Sequence, residues 1–243
     1  MKKIFSFLLI LGIMIGLSPI KSSAETKNEQ LMTESELENM KIELIKEGVT
    51  EDTAEKLKNK MADGKLLDSM ILDESKAIDT QTIKNPDGSE QQTLTFPDGS
   101  IITKGIEYAN FSNNTTNPLI TTFGTGISGG SCTSGSGYSV CKNKKVYYSN
   151  PGVWKIYFHA NYEMINGGYD KITWVGNEGT WLSAGTVSDP LVRIIKRTEN
   201  ANGKAQARYS VYMFLGGSYG TLTRSVSLYV GKDSASVKGN TYY

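Results

Sequence analysis

The sequence predicts an α+β fold, with a small N-terminal helical segment and β-meander followed by an all-β antiparallel sandwich. Three observations predict it. Capped runs with helical periodicity fill the residues before 76, a Pro-Asp-Gly-Ser turn recurs at a spacing of 11 before residue 109, and alternating apolar/polar stretches separated by Gly- and Asn-rich turns fill the rest from residue 131. The first signal has period 3.6 and the last period 2, so the two parts bury their apolar side chains in different ways.

The chain begins MKKIFSFLLILGIMIGLSPIKSSAE. Lys2 and Lys3 precede an apolar run from Ile4 to Leu17, and Ser22-Ser23-Ala24 has the small-x-small pattern of a signal-peptidase site. Residues 1–24 are therefore expected to be a signal peptide, cut between Ala24 and Glu25. The run is too short for a comfortable bilayer span. No cysteine directly follows it, so lipid attachment at that point is not expected, and no second apolar run of spanning length is present. A secreted, extracellular chain with no stable membrane insertion after signal removal is expected.

Residues 25–76 read as an acidic helical segment. Thr33 and Glu36 form a capping box, with Leu37, Met40, Leu44 and Ile45 on one helical face and Gly48 at the stop. Thr50 caps a second helix carrying Ala54, Leu57 and Met61, which ends near Gly64, and Lys65–Ile71 is a short third helix. Residues 77–109 read as a three-stranded meander. Its turns, Pro86-Asp87-Gly88-Ser89 and Pro97-Asp98-Gly99-Ser100, combine a preset φ at Pro with a φ > 0 position at Gly. Two carboxylates on separate turns are too few for a calcium loop. Asn- and Gly-rich residues 110–130 read as a linker.

Residues 131–243 read as the sandwich. VWKIYFHANY places Trp154, Ile156, Phe158, Ala160 and Tyr162 on one face, with Tyr157, His159 and Asn161 on the other. Further strands are expected over 144–148, 169–175, 179–187, 191–197, 204–215 and 219–230. Both cysteines, Cys132 and Cys141, lie at its entry, nine positions apart in a Gly/Ser-rich stretch. In an extracellular chain an even pair predicts a disulfide pinning a hairpin. A catalytic thiol would need a base, and His159 is the one histidine of the chain. The spacing of metal ligands typical of zinc is absent, so no metal or other cofactor is expected.

Charge divides the same way. Residues 25–110 carry ten lysines against nineteen carboxylates, a net of −9, whereas 111–243 carry thirteen Lys and Arg against six carboxylates, a net of +7. All three Trp and 12 of the 13 Tyr follow residue 110. A basic extracellular β-domain attracts anionic polymers in a salt-dependent way, and its Tyr and Trp can stack on sugar rings. Lys142, Lys144, Lys145, Arg193 and Arg197 are the expected basic patch. The leading expectation is a non-enzymatic protein that binds a cell-wall polymer or carbohydrate surface. Nucleic acid is not expected as a partner, since the chain carries no nucleic-acid-binding motif. The opposite charges raise a second possibility, a proprotein whose basic β-domain is a toxin or antimicrobial masked by the acidic segment until a cut near 72–77 or 110–130. A glycosidase using Glu163 and Asp170 is the weakest alternative, because sequence sets no separation between them.

The segments IKEGVTEDTAEKLKNKMADGKLLDSM, FPDGS, SGYSVCKNKKVYYSNP and GKDSASV resemble a group of uncharacterised secreted proteins of Gram-positive bacteria. The resemblance covers most of the mature chain. It implies helices, then DGS-type hairpins, then a β-rich tail, and it assigns no activity to any residue. The helices also resemble a ubiquitin-associated-type three-helix arrangement, which implies shape alone.

Overall fold

The computed structural model describes residues 32–84, 90–107, 130–215 and 220–242. The expected signal peptide with its Ala24/Glu25 cut, the first Pro-Asp-Gly-Ser turn and nearly all of the expected linker lie outside the described residues. Strands make up 56% of the described residues, in two antiparallel sheets, with short helices confined to the N-terminal part.

Helix α1 spans Glu34–Lys46, α2 Glu51–Ala62 and α3 Asp68–Ile71. The capping box forms as the sequence dictates: the Thr33 amide donates to Glu36 at 2.6 Å and the Glu36 amide donates to Thr33 Oγ1 at 3.3 Å. Leu37, Met40 and Leu44 of α1 and Ala54, Leu57 and Met61 of α2 are buried, while Ile45, expected on the same face, remains exposed. A single turn of 3-10 helix follows over Glu74–Lys76.

The strands are β1 Asp79–Lys84, β2 Glu90–Thr95, β3 Ile101–Glu107, β4 Ser131–Gly135, β5 Tyr138–Asn150, β6 Trp154–Ile165, β7 Lys171–Leu182, β8 Thr186–Lys196, β9 Ala205–Phe214, β10 Thr221–Val230 and β11 Ala235–Tyr242. The first sheet runs β1-β2-β3-β5-β6-β7, with β4 paired to β5, and the second runs β11-β10-β9-β8. Three expectations change. The meander is not separate from the sandwich: β3 pairs with β5 from Thr103↔Ser149 to Glu107↔Lys145, so 77–109 supplies part of the first sheet. The strands expected at 169–175 and 179–187 become one long β7 and the start of β8. Bulges keep β7 in register across Gly176 and Gly179, where the sequence pattern reads as a break. Finally, Ala235–Tyr242 forms the edge strand β11, which the small and polar residues there conceal.

The core lies between the sheets. Val146, Tyr148, Trp154, Ile156 and Phe158 of the first sheet face Ala207, Tyr209, Val211, Val226 and Leu228 of the second, all buried. Each large apolar side chain so placed contributes about 1.5–3 kcal/mol.

The helices close one end of this core. Gly152, in the β5–β6 turn with φ +73°, lies against the Met40 backbone, where a Cβ would collide. Asp98, in the second Pro-Asp-Gly-Ser turn, accepts from Lys60 Nζ and the Asp68 amide, both at 2.8 Å, and from the Ser100 amide at 2.9 Å. Ser100 Oγ accepts from the Ser69 amide at 3.0 Å, and Ser69 Oγ accepts from Asn150 Nδ2 at 2.8 Å. The turn is thus a dock for α2 and α3 as well as a reversal. Burial alone pushes the Asp98 carboxyl up, but the bonds from the Asp68 amide, Lys60 and Ser100 outweigh it and hold the group below its ordinary value. Deeper in, fully buried Arg224 donates to the Met70 carbonyl at 2.6 Å and stacks 5.3 Å from the Trp154 ring. Glu74 accepts from the Gly239 amide at 3.1 Å and pairs with Lys104 at 2.6 Å, which covers part of the β11 edge.

Candidate glycan-binding face

The outer face of the first sheet collects aromatic and basic side chains. Cross-strand register places Ser149, Lys155 and Trp181 in one row, and Tyr147, Tyr157 and Gly179 in the next. Lys145, His159 and Gly176 form a third row, and Asn161 and Trp174 a fourth. Glycines decide the shape of this surface. A Cβ on Gly179 would run into the Tyr157 ring, and one on Gly176 would lie 2.6 Å from Trp174 Cζ2. The Tyr157 and Trp174 rings therefore lie close over bare glycine backbone. Lys145 Nζ sits 4.8 Å from the Tyr157 centroid and Lys155 Nζ 5.0 Å from that of Tyr147, both in cation–π range. Trp174 is 39% exposed and Trp181 46%, while Tyr147 is buried beneath its neighbours.

Backbone irregularity sets this pattern. Asn177, with φ 49°, marks a bulge between Tyr157↔Gly179 and His159↔Gly176 that leaves both glycines on the outer face. The carbonyl of Asn177 accepts from His159 Nδ1 at 3.0 Å. His159 lies on the face that the alternation predicts and is buried, edge-on to Tyr157 at 5.9 Å, in a structural position.

The expected basic patch is divided. Lys142 is exposed and Lys145 half-buried on the first sheet. Lys144 is fully buried and donates to the Gly130 carbonyl at 3.2 Å. Alternation from buried Cys141 would send Lys144 outward with Lys142, but a bulge at Lys142 and Asn143 (φ 52°) shifts the phase by one residue. Arg193 lies on the second sheet, whose outer face points the other way. Arg197 donates to the carbonyls of Ile172 and Thr173 at 3.3 and 2.9 Å, tying the chain after β8 to β7. Lys142, Lys145 and Arg193 thus do not form one surface.

The disulfide Cys132–Cys141 forms between residues directly opposite in the β4–β5 hairpin, with Cα atoms 4.1 Å apart. The two carboxylates considered for hydrolysis have separate structural partners. Glu163 pairs with Lys171 across the strands at 3.0 Å. Asp170 is buried and accepts from the amides of Ile165 and Asp233 at 2.8 and 2.9 Å. Burial raises its carboxyl above the ordinary value despite those bonds, and Glu199 adds repulsion.

Sequence reading missed Trp174, Trp181 and Lys155 as members of one surface. The available signal was a strand interior with two glycines flanked by tryptophans, WVGNEGTW. No helix of the described residues is long and apolar enough to cross a membrane. No family model, no curated protein and no solved structure matches this chain.

Proposed function

We propose that the mature chain is a secreted, non-enzymatic protein that binds an anionic carbohydrate polymer of a cell envelope through the outer face of its first sheet. The observation that carries this reading is the joint presence there of the exposed rings of Trp174 and Trp181 with Lys145 and Lys155. Flat rings beside cations suit a sugar chain bearing carboxylate, sulfate or phosphate: the ring face stacks on the apolar side of a pyranose while the ammonium meets the anion. The N-terminal apolar run, with its small-x-small site, supports the extracellular placement.

The test is retention of the mature chain on immobilised dextran sulfate against uncharged dextran. Retention on the charged matrix, weakened by salt and by Trp181→Ala, is the expected result. Equal passage through both matrices at low salt would overturn the reading.

The masked-toxin reading has one observation in its favour, the seating of the acidic segment against the β-part through Glu74, Ser69 and Met70. The same contacts set its difficulty. Release of that segment would strip the Met70 carbonyl from buried Arg224, and losing a hydrogen bond to a buried charged group costs about 1.5–3 kcal/mol. Growth inhibition that appears only after proteolysis is the result this second reading requires.

A further inference from the structure

The outer face of the second sheet carries a row of cations that the fold itself does not explain. Arg193 on β8 lies directly opposite Arg208 on β9, Arg208 opposite Ser227 on β10, and Ser227 opposite Lys238 on β11. Strands sit about 4.8 Å apart, so the row crosses the sheet over about 14 Å. Like charges directly opposite each other destabilise a sheet. No carboxylate among the described residues pairs with Arg193, Arg208 or Lys238. Arg208, half-buried, donates from Nε to Ser227 Oγ at 3.1 Å. Lys238 Nζ lies 5.7 Å from the Tyr229 ring.

The row opens into a groove of about 510 Å3 beside the β11 edge, lined by Arg208, Ser227, Tyr229, Lys238 and Asn240. The two carboxylates on its far wall are already engaged: Glu74 by Lys104 and the Gly239 amide, Asp73 by the Ser75 amide. A concave, polar surface with repelling, in-register cations lacks an anion. Charge complementarity selects a polymer with regularly spaced anionic groups, which can neutralise cations on three of the four strands at once.

We infer that this face is a second anion site, and that one molecule therefore holds two polymer chains, one on each outer face of the sandwich. The inference rests on the reading of the tryptophan face given above and adds to it a bridging role. Stacking serves the first face and charge the second. The two differ in composition, so they can be disabled separately.

The test is light scattering from soluble dextran sulfate chains titrated with the mature protein, alongside binding to an immobilised dextran sulfate surface. The wild type is expected to cluster the chains, with scattering falling again at excess protein. Arg193→Ser with Arg208→Ser should abolish clustering while surface binding weakens by less than about tenfold, the scale of two exposed ion pairs. Arg193→Lys with Arg208→Lys should restore clustering, because charge and not guanidinium geometry carries the site. Clustering by the double serine variant equal to the wild type would overturn the inference and leave the tryptophan face intact. Loss of all surface binding in that variant, with Trp181→Ala unaffected, would overturn the tryptophan-face reading and with it the bridging.

Discussion

The helical segment and the outer faces of the sandwich are both rich in charge, and they handle it in opposite ways. In the helices, Lys41 pairs with Glu55 at 2.7 Å, Lys58 with Glu38 at 3.0 Å, and Lys60 with Asp68 and Asp98 at 2.8 Å. All of these pairs join partners inside the acidic half. On the second sheet, Arg193, Arg208 and Lys238 stand in register with no carboxylate partner among the described residues. The difference teaches that the opposite net charges of the two halves do not mean that one half neutralises the other. Charge in the helices is consumed in folding and docking, whereas the row of Arg193, Arg208 and Lys238 on the second sheet is not consumed in this way among the described residues.

The comparison breaks first if the helices prove dispensable. Deletion of residues 25–71 removes the Met70 carbonyl from Arg224 and the apolar plug over the core. Cooperative thermal unfolding of the remaining chain is expected to disappear. A cooperative melt near that of the full chain would restore a detachable acidic segment.

The next effect is the staple. Replacing Cys132 and Cys141 together by alanine opens a short loop, with an expected loss of somewhat under about 3 kcal/mol in denaturant unfolding. Binding to an anionic polymer should be unchanged, since neither cysteine belongs to the proposed faces.

Asp98→Asn sharpens the account of docking. Breaking one charged member of this network should lower stability at neutral pH by about 1–3 kcal/mol. The folded carboxyl titrates below its unfolded value, so its contribution is complete above an unfolded pKa of about 3.9 and is lost as pH falls through the lower folded value. The gap between wild type and variant should therefore be constant above that range and close in acid. A gap that widens in acid would contradict the assignment.

The smallest effect on stability is expected on the tryptophan face itself. Trp181→Ala should change unfolding free energy by about 0.5 kcal/mol or less, as for other exposed positions, while polymer retention falls. A large loss of stability would make Trp181 part of the core's support and not a recognition residue.

How much of this was legible depends on how local the signal is. The Thr33–Glu36 capping box, the Thr50 cap and the Val153–Tyr162 alternation are read within a few residues, and all appear in the structure. The disulfide is equally local. What the sequence hides is phase and partnership. One extra residue at Asn143 turns Lys144 from the expected basic patch into a buried donor, and one at Asn177 keeps two glycines beneath aromatic rings. Simple alternation cannot register a bulge. Asp98 reads as a turn residue because its partners, Lys60 and Asp68, come from a distant helix end. Arg193 and Arg208 become cross-strand neighbours only through the β8–β9 register.

The most direct test of the central claim is a titration of the mature chain with dextran sulfate, followed by intrinsic tryptophan fluorescence at low and at high salt. Trp154 is buried, so Trp174 and Trp181 supply any ligand-dependent change. The account predicts a saturable change at low salt that weakens as salt rises and vanishes in the Trp174→Ala, Trp181→Ala variant. No change in the wild type at low salt, together with no retention on the charged matrix, would contradict it.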